Sequence, residues 1–225
     1  MSDVLDRMDG RTRTRAVTAG IDQDRLLTPP EWEGQYDPHV WMDVCLWIEA
    51  VQEVANALAE ADPDGREQYE RSAAEFVREL EDLETWVWGR VEELPPERRI
   101  LVTAHDAFNY FGEAYGFEVR GLQGLSTATE AGIGDVRRLA DFIVEHRLPS
   151  IFIETSIPRR NVEAVQAAAR SRGHRVEIGG ELFSDAMGPA GTPEGTYPGM
   201  IRHNVNTIVD GLSLGIAEAV AEGAP

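Results

Sequence analysis

A chain of 225 residues with 42% hydrophobic content has enough apolar material for one large core or two modest ones, which excludes a wholly disordered chain. Forty acidic residues against 21 basic ones leave a formal charge of −19, a surface that repels nucleic acid and anionic membranes. Every basic residue is arginine, and without lysine there is no P-loop lysine, no Schiff-base lysine and no kinase-type strand lysine.

So acidic a surface suits very high salt, where charges are screened beyond about 3 Å at 1 M. The composition is read as halophile-like, with an acidic, arginine-biased protein from a GC-rich genome as the plainer alternative. The single cysteine, Cys45, forbids an internal disulfide and a Cys-based zinc cluster, and its apolar helical setting predicts burial. No Gly-x-Ser-x-Gly elbow occurs. Residues 1–20 carry charges throughout and lack the apolar stretch of a secretion signal. No apolar run is long enough to span a bilayer. As it stands, the chain is expected to stay where it is made, in the cytoplasm.

Residues 1–36 are polar, contain Pro29-Pro30 and show little periodicity. Asp37-Pro38-His39 reads as a helix start, with Asp37 as cap and Pro38 at the first helical position. Val40, Val44, Trp47, Val51, Val54 and Leu58 then form one apolar stripe, predicting a helix over 38–60. A second stripe, from Tyr69 through Phe76, Leu80, Leu83 and Val87 to Leu94, predicts a helix over 66–94, roughly 40 Å long. Pro95-Pro96 stops it. So long a helix is either a coiled-coil arm or a spine joining two lobes.

Beyond residue 97 strands and helices alternate. The predicted strands are 100–103, 117–119, 151–154 and 176–178, and the predicted helices 106–115, 130–147, 159–172 and 197–221. This alternation argues for a parallel sheet with right-handed crossovers. Ile201, Val205, Ile208, Leu212 and Ile216 share a face of the last helix. A Gly/Pro-rich loop between Gly188 and Gly199 reads as a mobile rim.

Three residues sit where strands of such a sheet end: His105 after the first, Glu154 at the third, Asp185 after the fourth. In open α/β sheets ligands bind outside the carboxyl ends of the strands. An imidazole and two carboxylates there are donor types for a divalent transition metal. Each has a plainer reading: His105 as a satisfied strand-end residue, Glu154 as a helix-capping acid or one beside the ligands, Asp185 as a turn residue. His39, far upstream, reads on spacing alone as a helix-start histidine near the surface.

The stretches Asp37-Pro38-His39-Val40-Trp41, Val102-Thr103-Ala104-His105-Asp106-Ala107-Phe108 and Leu182-Phe183-Ser184-Asp185-Ala186-Met187 resemble three ordered signatures of one family. It comprises the zinc/manganese-type substrate-binding proteins of metal ABC importers, the TroA-like or adhesin-lipoprotein family. Gly121-Leu122-Gln123-Gly124, Phe152-Ile153-Glu154-Thr155-Ser156 and Glu194-Gly195-Thr196-Tyr197 fit the same pattern, and the resemblance runs from about residue 14 to 213.

The resemblance implies an α/β fold in which a long spine helix joins two lobes and the metal lies between them. It divides the chain into a remnant of the N-terminal lobe (1–62), a linking helix (63–96) and a C-terminal lobe (97–225) with a four-stranded parallel sheet flanked by helices. It makes His39, His105 and Asp185 metal ligands and Glu154 an acid behind them. On this resemblance, the first histidine of the family's three-His, one-Asp pattern and most of the first lobe are expected to lie outside these 225 residues. The helix over 38–60 is therefore expected to expose part of its apolar face.

The implied cargo is a divalent metal: Zn first, Mn next, Fe third. The implied activity is capture and delivery to an ABC transporter permease, without catalysis. In intact relatives it is extracytoplasmic and membrane-associated. Two other readings stand beside it: a non-functional remnant or adhesion protein, and a metal-dependent hydrolase using Glu154 as base.

Overall fold

The structure, a computed structural model, describes residues 14–29, 34–125 and 131–222, with side chains to residue 214. Residues 1–13, residue 30 of the Pro29-Pro30 pair, residue 130 at the start of the predicted helix 130–147 and the side chain of Ile216 in the last stripe fall outside that description.

Helix α1 spans Val44–Ala61, six residues later than the sequence pattern places its start. Asp43 caps it, its carboxylate accepting the Leu46 N–H at 3.1 Å. Asp37 cannot serve as cap because its oxygens are engaged by His39 and Asn109. Residues Val40–Met42 form a short 3-10 turn instead. The buried face of α1 is Val44, Leu46, Ala50, Ala55 and Ala59, so the predicted stripe is rotated. Val54 and Leu58 are 41% and 44% exposed, as expected of a helix with an uncovered apolar edge. Cys45 is exposed rather than buried, because it points away from that inner face.

Helix α2, Arg66–Val91, has 26 residues and is about 39 Å long. Its carboxyl half is anchored: Leu80, Leu83, Val87 and Val91 are fully buried. Its amino half is lighter, with Tyr69, Ala73 and Phe76 half-buried against α1.

After α2 come β1 (Ile100–His105), α3 (Asn109–Tyr115), β2 (Glu118–Gln123), α4 (Ile133–Glu145), β3 (Ser150–Glu154), α5 (Arg160–Ser171), β4 (Glu177–Leu182) and α6 (Tyr197–Glu222). All pairing is parallel: β1 with β2, from Ile100 opposite Glu118 to His105 opposite Gln123, and β3 with β4, from Ser150 opposite Glu177 to Glu154 opposite Leu182. β1 lies beside β3. The expected four-stranded sheet is thus built as two two-stranded ladders placed edge to edge. At the carboxyl end the His105 N–H donates to the Glu154 carboxylate at 2.8 Å.

Alternation along the strands separates two cores. Val102, Ala104, Ile151 and Ile153 face α4 and α5, meeting Leu139, Ile143, Val162 and Val165. Leu101, Phe152 and Leu182 face the other way, into a core shared with α2, α3 and α6 and with Val40, Met42 and Val44. The β3–β4 register breaks between Ile151 and Phe152, where Gly179 is the extra residue. A Cβ there would stand 2.7 Å from the Phe152 ring. The 188–199 loop folds on itself, the Gly188 N–H donating to the Glu194 carbonyl at 2.8 Å.

Leu83→Ala is expected to destabilise the protein by about 2–5 kcal/mol, the usual cost of emptying a packed core site. Phe76→Ala, on the half-buried part of the same helix, is expected to cost clearly less. Denaturant unfolding of both variants tests this, and equal losses would show that the amino half of α2 is as tightly anchored as the rest.

Candidate metal centre

His105 is the last residue of β1 and completely buried. It shares parity with Leu101 and Thr103, so the pleat turns its ring toward the α2 side of the strands. Behind the ring, Nδ1 lies 2.6 Å from Glu154 Oε2. The approach is too oblique for a well-formed hydrogen bond, so charge pairing dominates it. Glu154, also buried, therefore spends one oxygen on the His105 backbone and the other on its ring.

His39 comes from the turn before α1 and is 3% exposed. Its Nδ1 is 2.7 Å from Asp37 Oδ1. The His39 and His105 rings meet edge to face, with centroids 5.4 Å apart. Asp185 enters from the loop after β4. Its Oδ1 is 3.5 Å from His39 Nε2 and 3.4 Å from His105 Nε2. One donor atom from each of the three residues falls within 4.8 Å of the other two. Asp185 is the exposed member, so the cluster opens to solvent through its carboxylate.

Two features of this cluster suit a cation. His105 Nε2 is buried with no hydrogen-bond partner, a costly state for a polar atom, on the order of 1–3 kcal/mol. The two imidazole–carboxylate separations are longer than good hydrogen bonds. They match the ligand–ligand edge of about 3.4 Å that tetrahedral bonds of 2.0–2.1 Å would produce. Glu154 is not in the converging set, since both its oxygens face His105.

The loop carrying Asp185 is held by residues to which the sequence assigned no role of their own. Asn204 of α6 is buried, and its amide brackets Phe183, accepting the backbone N–H at 2.9 Å and donating to the carbonyl at 2.7 Å. An asparagine beside Ile201, Val205 and Ile208 on an apolar helix face was the signal available. Trp41 donates from Nε1 to the Ser184 carbonyl at 2.9 Å, and the Tyr197 hydroxyl donates to the Trp41 carbonyl at 2.9 Å. The His39 turn and the Asp185 loop are thereby tied directly. On the other side, the Asp106 carboxylate accepts the Gly121 N–H at 2.9 Å, and a Cβ on Gly121 would lie 2.4 Å from that oxygen. Only glycine leaves room there. Asp37, read from sequence as a helix cap, is the partner of His39.

Comparison with known proteins shows what carries this arrangement. Residues 1–211 match the family described as zinc-uptake complex component A, periplasmic (ZnuA). The chain belongs to this family. It is 49% identical over 213 residues to the zinc-binding protein TroA of Treponema pallidum (strain Nichols), an alignment covering 95% of this chain and 68% of that protein. It is 43% identical over 213 residues to the manganese-binding lipoprotein MntA of Bacillus subtilis (strain 168), covering 94% and 69% respectively. The solved structure of the periplasmic zinc-binding protein TroA from T. pallidum superposes with a TM-score of 0.91 at 48% identity, covering 94% of this chain and 76% of that one. The α/β architecture of parallel strands and helices expected from the sequence is therefore the family's own. Among the described residues, no helix is long and apolar enough to cross a membrane.

Charge at the cluster sets its pH response. Burial works to lower the His105 pKa, but Asp185 and Glu154 outweigh it and push it up to about 9. His39 is likewise raised: burial opposes the shift, and Asp185 and Asp37 overcome it. Asp185 is held well below the usual carboxylate range by His105 and then His39. A raised imidazole pKa stabilises the fold fully below the ordinary value of 6.5 and loses that contribution as pH climbs through about 9. A lowered carboxylate pKa stabilises above the ordinary value of 3.8 and fails as pH drops toward the folded value. The metal-free protein should therefore lose the cluster's contribution to melting temperature between pH 6.5 and 9. A cation competes with the same protons, so the melting-temperature gain on adding Zn(II) should grow over that range. Thermal melts with and without Zn(II) at pH 6, 7.5 and 9 measure this, and a gain that shrinks with pH would contradict it.

Proposed function

We propose that this chain captures a divalent transition metal ion through His39, His105 and Asp185 and hands it to the permease of an ABC importer, without catalysing a reaction. The observation that carries the reading is the convergence of three donors around a buried imidazole nitrogen that makes no well-formed hydrogen bond. Family membership supports the direction: its relatives are named for binding zinc or manganese, and some are named as lipoproteins or as ABC transporter components.

Two neutral imidazoles and one carboxylate form a set that accepts Zn(II) first, with Mn(II) and Fe(II) next where availability favours them. Solvent entering past Asp185 supplies the remaining coordination. Glu154 stands behind His105 and keeps its ring basic. With both oxygens directed at His105, it is poorly placed to activate a water, which weighs against the hydrolase reading. In this proposal residues 1–62, 63–96 and 97–225 act as first lobe, linking helix and metal-bearing second lobe. The capture step takes place outside the cytoplasm, at the membrane face where a permease waits.

Isothermal titration of the wild type and His105→Ala with Zn(II) and with Mn(II) tests the proposal. Wild type is expected to bind one ion, Zn(II) more tightly, and His105→Ala to show no saturation over the range that fills the wild type. Equal binding by both removes His105 from the site. Failure of the wild type to take up either metal under any loading condition favours the non-functional or adhesive reading.

A further inference from the structure

Asp37 is 1% exposed, and its two carboxylate oxygens serve different segments. Oδ1 accepts the backbone N–H of His39 at 2.9 Å and faces the same residue's Nδ1 at 2.7 Å. Bonding to the backbone two residues on is an Asx turn, which the fixed φ of the intervening Pro38 favours. Oδ2 accepts the Asn109 amide at 3.0 Å, and the same amide nitrogen donates to the Asp106 carbonyl at 3.2 Å. Two acceptors around one nitrogen leave a single sensible orientation for that amide. The Asp37 backbone is held too: its carbonyl accepts the Tyr110 hydroxyl at 3.2 Å, and its N–H donates to the Leu27 carbonyl at 2.8 Å.

A carboxylate facing one ring nitrogen keeps the proton there and leaves the lone pair on the other. For His39 that other nitrogen is Nε2, which faces Asp185. Glu154 Oε2 stands 2.6 Å from Nδ1 of His105 from within the strands. Asp37 does more, because through Asn109 it joins the turn bearing His39 to the residue that follows His105.

We propose that Asp37 is the positioning residue of the metal centre: it holds His39 as the Nδ1–H tautomer with Nε2 directed at the ion, and through Asn109 it sets the spacing of the two imidazoles. This inference rests on the metal-capture reading above. Asp37 itself touches no ion. Its effect reaches the site through the tautomer and orientation of His39 and through the Asn109 bridge.

The experiment combines Zn(II) competition titrations of wild type, Asp37→Ala, Asp37→Asn and Asn109→Ala with long-range 15N–1H NMR of the histidine rings, recorded metal-free where the rings are neutral. Loss of an outer partner of a metal-ligating histidine weakens affinity by about 10- to 100-fold, and Asp37→Ala is expected in that range. Asn109→Ala should lose less. Asp37→Asn should recover part of the loss, since its carbonyl oxygen still accepts from Nδ1–H. In the NMR spectra His39 should carry its proton on Nδ1 in the wild type and redistribute toward Nε2 in Asp37→Ala.

Unchanged affinity and an unchanged His39 tautomer in Asp37→Ala overturn the inference. Should that variant fail to fold, the wild-type spectrum decides: a proton on Nε2 of His39 overturns the proposal and one on Nδ1 upholds it. A wild type that binds no Zn(II) sinks the metal-capture reading itself, a result distinct from either of these.

Discussion

Burying carboxylates and imidazoles together is costly unless each charge and each donor has a partner, and this constraint shapes one whole end of the molecule. Glu154 and His105 are both almost completely removed from solvent at neighbouring strand ends. Glu154 meets the constraint by giving one oxygen to the His105 backbone and the other to its ring. That arrangement sits where the two ladders lie edge to edge. Asp37 meets the same constraint with His39 and Asn109, and in doing so surrenders the role of helix cap to Asp43. Asp185, being exposed, is under no such obligation and faces both imidazoles from the solvent side.

Holding these pairs in register is the work of the larger core. Val40, Met42 and Val44 flank the His39 turn on both sides of Trp41 and pack into the same apolar cluster as Leu80, Leu83, Val87 and Leu101. The carboxyl half of α2 and the start of β1 thus support both histidine-bearing segments. Trp41, Tyr197 and Asn204 extend that support to the Asp185 loop by hydrogen bonds to backbone groups. Three segments distant in the chain are fixed to one another largely by residues that touch no ligand.

The donor set of the cluster does not by itself single out one ion. Imidazole and carboxylate donors suit zinc, manganese and iron to different degrees, and geometry and supply decide among them. Relatives named for zinc and for manganese share this chain's sequence at 49% and 43% identity. The formal charge of −19 favours cations in general over nucleic acid near the surface.

Local sequence was enough for the alternation of strands and helices after residue 97, for the long α2 and for the grouping of His105, Glu154 and Asp185 at strand ends. Those features follow from periodicity and from the rule that the carboxyl ends of parallel strands share a rim. His39 was singled out by its resemblance to a family signature, because nothing in its spacing brings it near a strand more than sixty residues away. Sequence misjudged the start of α1, the burial of Cys45 and the role of Asp37. In each case a local rule lost to a partner supplied from elsewhere: Asn109 for Asp37, and a rotated packing face for α1. Chain order thus determined which elements exist and which residues stand at their ends. Tertiary structure alone decided which of those residues meet, because the pairing of buried charges is a contact between distant segments and leaves no periodic trace in either one.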